Sequence, residues 1–172
     1  MEIRRLDARA TAAAREELAA LLVDAVDGGA SVGFLPPLPA ADAGHYWDEV
    51  IEALGGPHRV LLAALVGGCL AGAVQLELAA RTNGSHRAEV TKLMVLRDRR
   101  RAGLGRALML AAEEEAARLG RTTLVLDTRV GDPSQRLYAT LGYALCGVIP
   151  AYARSADGTL HATAVMYKLL GR

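Results

Sequence analysis

Leu93-Met94-Val95-Leu96-Arg97-Asp98-Arg99-Arg100-Arg101-Ala102-Gly103-Leu104-Gly105-Arg106 joins two segments of different period. Before it, Arg87 to Val95 reads as a strand; after it, from about Gly105 to Leu119, Ala, Leu and Glu recur at helical spacing until Gly120. Glycine lets a backbone turn tightly and approach a ligand with no Cβ in the way. A helix that begins here presents unpaired N–H groups and the positive end of its dipole. Together these form an anion site, most often for phosphate. Arg97, Arg99, Arg100 and Arg101 add charge where a polyphosphate would sit, although charge alone fits a solvated basic loop equally well. Spacing narrows the classes. There is no Gly-Lys-Ser/Thr ending of a Walker loop, and position 108 is Leu where a dinucleotide fingerprint needs its third glycine.

The whole chain is too balanced in charge to bind nucleic acid generally. Its 172 residues carry 20 basic and 19 acidic side chains, a net charge of +1, and all the basic ones except Lys92 and Lys168 are arginine. Hydrophobic residues make up 52%, enough for the core of a single domain spanning 1–172, and that content excludes a disordered chain. The first residues lack a continuous apolar stretch, and Val60 to Leu76, as long a charge-free run as any in the chain, is split by Gly67-Gly68. No secretory signal and no membrane segment are expected, which points to the cytoplasm. Cys69 and Cys146 read as reduced core thiols. His45, His58, His86 and His161 show no metal-ligand spacing, so no metal is expected.

The remaining pattern is α/β. Ile3–Leu6 reads as a strand, Ala10–Val26 and Ala41–Leu54 as helices, and the proline-bearing Ser31–Pro39 as a loop. Val60–Val66 and Leu70–Leu78 flank Gly67-Gly68 as a hairpin. Thr122–Leu126 is continuously apolar, as in a strand buried within a sheet; Ser134–Leu141 is a short helix. Tyr143–Ile149 and Leu160–Leu169 pair around Asp157-Gly158. The expected order is βααβββαβαββ, with four helices on a mixed, mostly antiparallel sheet of about seven strands.

Arg100-x-x-Gly103-x-Gly105, after a strand ending Leu93-Met94-Val95, resembles the acetyl-CoA loop of the GNAT superfamily of N-acetyltransferases. Arg136-Leu137-Tyr138-x-x-x-Gly142-Tyr143 resembles that superfamily's second CoA-side motif, and the element order agrees. Four segments look like the branch that includes the tabtoxin resistance acetyltransferase: His86 to Val95, Leu124 to Thr128, Gly147 to Ala153 and Asp157 to Thr163.

The resemblance implies acetyl-CoA as cosubstrate and an amine as acceptor. It assigns the phosphates to the backbone of Arg101, Ala102, Gly103, Leu104, Gly105 and Arg106, with arginine side chains, Arg100 among them, outside. The pantetheine arm would lie along Leu93, Met94 and Val95. Glu89, four residues before Leu93, is the expected base, acting directly or through water; its bland alternative is an ion pair with Arg87 or Lys92. Asp127 would order the same water, or else cap the next loop. Tyr138 would protonate the departing thiolate, or else fill the core. Many superfamily members carry an Asn in the turn before this helix; here the turn is Gly131-Asp132-Pro133-Ser134, and Ser134 is expected to cap the helix near the cofactor.

The acceptor should enter opposite CoA, between the Ser31–Pro39 loop with Phe34, the helix with Tyr46 and Trp47, and the loop with Tyr152. Trp47 also reads as its helix's core anchor. Of the seven aromatic residues Phe34, Trp47 and five tyrosines, Tyr138, Tyr143, Tyr152 and Tyr167 fall in the C-terminal segment expected around the thioester. No acidic cluster in the sequence marks a polycationic acceptor. Three functions remain open: a small-molecule N-acetyltransferase, a protein N-terminal or lysine acetyltransferase, and a non-catalytic acyl-CoA sensor. The apolar C-terminal hairpin suits a monomer or a homodimer.

Overall fold

The computed structural model describes residues 1–171. Its strands are β1 (Glu2–Leu6), β2 (Arg59–Val66), β3 (Cys69–Leu78), β4 (Arg87–Val95), β5 (Thr123–Arg129), β6 (Ala144–Arg154) and β7 (Leu160–Leu169). The helices are α1 (Ala8–Ala13), α2 (Arg15–Asp27), α3 (Ala40–Leu54), α4 (Leu104–Arg118) and α5 (Pro133–Thr140). The strands form one sheet in the order β1-β2-β3-β4-β5-β7-β6. Only β4 and β5 run parallel. The fold class is thus the one expected, with one helix more.

That extra helix comes from a break at Ala14. The pattern Ala10–Val26 reads as one helix because neither glycine nor proline interrupts it. Instead, Asp7 caps α1 through Ala10 N–H at 2.7 Å, and the buried Thr11 bonds back to the Asp7 carbonyl, an arrangement that bends helices. Past the break, Arg15 donates to Asp48 Oδ2 at 2.7 Å and pins α2 against α3. Two strands also outrun their apolar signal. The polar residues Asp127, Thr128 and Arg129 stay in β5 because β7 pairs with each of them. β6 continues past Pro150 to Arg154 with an irregular register, as an edge strand tolerates.

Both faces of the central strands are buried. On one face α4 and α5 cover Leu62, Val74, Leu76, Val90, Leu124 and Leu126; on the other, α2 and α3 cover Leu61, Ala63, Ala73 and Met94. Cys69 and Cys146 are free and exposed, not core thiols: Cys69 stands at a hairpin end and Cys146 on the outer strand β6. Among the described residues no helix is long and apolar enough to cross a membrane.

Trp47 is 0% exposed and anchors α3 to the sheet, so it backs the acceptor side rather than lining it. Trp47→Ala is expected to destabilise the fold by about 3–5 kcal/mol, measured by urea unfolding followed by circular dichroism.

Candidate active site

The site begins with an irregularity in β4. Ala73 pairs with Met94 and Gln75 with Thr91, so Lys92 and Leu93 together face the single residue Val74. This is a β-bulge, with Lys92 in the left-handed region at φ 53°. β5 accompanies β4 only over Arg87–Thr123, Ala88–Leu124 and Glu89–Val125. Beyond Glu89 the two strands part, and residues 90–95 of β4 have no neighbour on that side.

Glu89 therefore stands at the apex of a fork. It faces solvent between the buried Ala88 and Val90. Partial burial, then the charges of Glu77 and Asp127, raise its pKa above the usual carboxylate value. Period-2 alternation puts Glu77, Glu89 and Asp127 on the same face, because Glu77 pairs with Glu89 across β3–β4 and Asp127 lies two residues beyond Val125. Asp127 is held by the Thr163 hydroxyl, which donates to its Oδ2 at 2.8 Å. Its position inside β5 removes the loop-capping alternative. Sequence reasoning paired Glu89 with Asp127 through a shared water but missed Glu77, which only strand register brings to the same face.

Tyr138 approaches from α5. It is 7% exposed, and burial, then the charge of Asp127, push its phenol well above its ordinary pKa. The hydroxyl thus keeps its proton throughout the neutral range. Ser134 does not cap α5: Asp132 occupies that position, Pro133 begins the helix, and the Ser134 hydroxyl bonds Thr128 Oγ1 at 2.7 Å. Of the other tyrosines, Tyr143 packs on Tyr138 with ring centroids 5.9 Å apart, whereas Tyr152 and Tyr167 are exposed.

In the basic loop the arginines divide their work. Arg97 is tied to Asp24 on α2 through its backbone N–H and its Nε, at 2.9 and 2.8 Å. Arg100 Nε donates to the Val95 carbonyl at 3.2 Å, and Arg99 pairs with Asp98. Arg101 and Arg106 make no ion pair among the described residues. Gly103 precedes α4 at φ 83° and Arg101 adopts φ 62°. The backbone N–H groups of residues 101–106 have no hydrogen-bond partner among the described residues. On the strand side Met94 is buried and pairs with Ala73, Val95 pairs with Gly72, and the β5 side of Leu93, Met94 and Val95 has no strand partner among the described residues.

Where the sequence places the acceptor by expectation, a cavity of about 470 Å³ lies between the loop after α2 and the β6–β7 turn. Val26, Phe34, Leu35 and Pro36 give it apolar walls, and Arg129 and Arg154 border it. Arg129 straps it, donating to the Gly29 carbonyl at 2.7 Å and the Ser155 hydroxyl at 3.0 Å. The Phe34 ring packs edge-on against Tyr46, 5.4 Å between centroids. Burial raises the Tyr46 pKa to about 12 although its hydroxyl accepts from Gln75 Nε2 at 2.8 Å. Tyr152 is not among the residues lining the cavity; its neighbour Ala153 is.

The forked sheet, the donor-rich loop and the paired acids define an acyltransferase-type fold, and comparison with known proteins agrees. A model of the acetyltransferase (GNAT) family matches residues 12–143, and the chain belongs to that family. An N-acetyltransferase encoded in the hisH-hisA intergenic region of Azospirillum brasilense is 36% identical over 108 residues, which cover 62% of this chain and 62% of that protein. Two solved structures share the fold. The ribosomal-protein-alanine N-acetyltransferase of Brucella melitensis has a TM-score of 0.80 at 23% identity, covering 99% of this chain and 100% of its own. The Salmonella typhimurium protein yncA, solved with its cofactor acetyl-CoA, has a TM-score of 0.79 at 21% identity, covering 100% and 95%.

The residues present fit CoA. The free N–H groups of 101–106 suit a pyrophosphate, and the unpaired edge of β4 suits an extended arm with amide groups. Among the described residues no cluster of His, Cys, Asp or Glu is placed to hold a metal ion. Gly103→Ala forces a Cβ into the left-handed region. It is expected to weaken CoA binding roughly five- to thirtyfold by titration calorimetry, with the circular dichroism spectrum unchanged.

Proposed function

We propose that this protein transfers the acetyl group of acetyl-CoA to a primary amine of a small molecule. The observation that supports the reading is that β4–β5 pairing ends at Glu89, with Asp127 two residues further along β5 and its charge felt by both Glu89 and Tyr138. When bound, acetyl-CoA supplies the activated acetyl thioester. The backbone of residues 101–106 would hold its phosphates, with Arg101 and Arg106 outside, and Leu93 and Val95 would hold the pantetheine arm. Glu89, through a water shared with Asp127, takes a proton from the acceptor ammonium and frees the nitrogen lone pair. The nitrogen bonds to the acetyl carbon, the carbon–sulfur bond breaks, and Tyr138 gives its proton to the sulfur. The second proton that the nitrogen sheds returns through water to the Tyr138 phenolate, while Glu89 passes its own proton to solvent. General acid and base groups of this kind contribute about 10²–10⁴-fold each.

A small acceptor is favoured by the Arg129 strap. An extended peptide needs an open groove, whereas Arg129 ties the two walls of the cavity together. The likeness of segments 86–95, 124–128, 147–153 and 157–163 to the tabtoxin resistance branch supports the same choice. For assembly, the homodimer is favoured by edge strand β6, where Leu145, Val148, Ile149 and Tyr152 are all exposed.

An amine panel with acetyl-CoA, read by thiol release, tests the activity; tight CoA binding without transfer to any amine or peptide would instead indicate a sensor. Glu89→Gln is expected to keep CoA affinity within about twofold and to lower kcat/KM near neutral pH by about 10²–10⁴. Turnover like the wild type in that variant overturns the assignment. The pH profile carries its own sign. Glu89 must be ionised to accept a proton, so kcat/KM falls as pH drops through its pKa, with a midpoint above the ordinary value of about 4.3. Asp127→Asn removes one of the charges that raise it and should move this acid limb to lower pH.

A further inference from the structure

The acceptor face contains one cation that neither the fold nor the proposed reaction uses. Lys92 is half-buried at the bulge, and among the described residues its ammonium has no salt bridge and no hydrogen bond. Its Nζ stands 5.6 Å from the centroid of the Tyr46 ring, a cation–π distance, and 3.7 Å from where a Cβ on Gly33 would lie. Gly33 borders the acceptor cavity. Lys92 also feels the charges of Glu77, Asp127 and Glu89 from the strands beside it, opposed by Arg59. It therefore stands between the cavity and the acids of the fork.

Matching charges on this face isolates what remains for a ligand. Glu77 is taken by Arg59, Nη2 to Oε1 3.1 Å. Arg129 is taken by Asp132 at 3.0 Å, besides its bonds to Gly29 and Ser155. Among the described residues Glu89 and Asp127 keep no cationic partner within salt-bridge distance, and Lys92 keeps no anionic one. An acceptor that carried only an amine would meet the carboxylates but also the repulsion of a half-buried ammonium beside them. An acceptor with an anionic group next to its amine answers both.

Building on the acetyl-transfer reading, we infer that the acceptor is a zwitterionic amino acid with an apolar side chain. Its amine faces Glu89 and Asp127, its carboxylate pairs with Lys92, and its side chain enters the cavity walled by Val26, Phe34, Leu35 and Pro36. Lys92 is thereby the residue that sets specificity. The left-handed backbone of the bulge directs its side chain toward Tyr46 and away from the run of β4.

Matched acceptors test this directly: L-methionine, L-methioninamide and 3-(methylthio)propylamine, then L-phenylalanine, L-phenylalaninamide and phenethylamine, each assayed by thiol release. The amino acids are expected to exceed their amides and amines in kcat/KM by about tenfold to a hundredfold, the value of a charge-assisted contact. Lys92→Met keeps length and meets the same backbone constraint. It should lose that factor for the amino acids, raise transfer to amides and amines, which no longer meet the ammonium, and leave CoA affinity unchanged. Lys92→Arg should retain much of the preference. Transfer to amines and amides as fast as to the amino acids, or an unaltered ratio in Lys92→Met, overturns the role of Lys92 while acetyl transfer stands. No transfer to any member of the panel or to other amines overturns both.

Discussion

The site depends on one inserted residue. Because Lys92 and Leu93 together oppose Val74, β4 bends and turns away from β5 just past Glu89. A regular strand would have continued its parallel pairing, closed the fork and buried the backbone edge that a CoA arm needs. The sheet has to rejoin after the bulge, and Gly72 makes that possible. A Cβ there would sit 2.7 Å from the Met94 carbonyl oxygen, so only glycine lets β3 come this close. The bond from Leu96 N–H to the Ala71 carbonyl then restores the ladder before the basic loop begins. The bulge and Gly72 form one device, although nineteen positions separate Gly72 from Thr91 on opposite strands of a hairpin.

Arginine is the second organising element, and it explains the bias in composition. Arg97 joins the cofactor loop to α2 through Asp24, Arg15 joins α2 to α3 through Asp48, and Arg129 joins three loops at the acceptor cavity. Arg15 and Arg129 each use several N–H donors of a planar fork in fixed directions, which a lysine ammonium on a flexible stem does not supply, and Arg97 adds its backbone N–H to its Nε. The dense charge of residues 97–101 is thus only partly a phosphate site. Arg97 and Arg100 shape the loop, so that its unpaired backbone N–H groups face outward, and Arg101 and Arg106 are left to meet an anion.

What the sequence made legible followed from local rules. β4 has the limits that its pattern predicts, Arg87 to Val95, and α4 begins at Leu104, beside the glycines that mark its start. Of the candidates, Asp127 exerts its charge on both Glu89 and Tyr138. What stayed hidden was set by partners distant in sequence. The helix break at Ala14 has no glycine or proline and shows only in the packing of Arg15 on α3. The place of Glu77 beside Glu89 and Asp127 depends on strand register, which a one-residue slip would undo. Lys92 reads as an ordinary strand residue or as a partner for Glu89 until the bulge is known. Ser134 has the type of a helix cap, but Thr128, buried in β5, claims its hydroxyl.

The two titratable groups assigned to the reaction stand in different surroundings, and each environment fits its role. Glu89 lies on the polar side of the fork, where neighbouring carboxylates and partial burial raise its proton affinity toward the range useful to a base. Tyr138 lies on the apolar side, among core residues, where an ionised phenolate is disfavoured and the group stays an acid. Behind it the same logic repeats. Lys168 reaches Glu113 Oε2 at 2.6 Å and stands 5.6 Å from the centroid of the Tyr143 ring, while the buried Tyr143 hydroxyl has no hydrogen-bond partner. Dry packing around Tyr138 and Tyr143 costs stability, since buried polar atoms are left poorly satisfied. It also pushes the Tyr138 phenol further above its ordinary pKa, so that the ionised form is disfavoured. In the proposed reaction, Glu89 would accept a proton on the polar side of the fork and Tyr138 would release one on the apolar side.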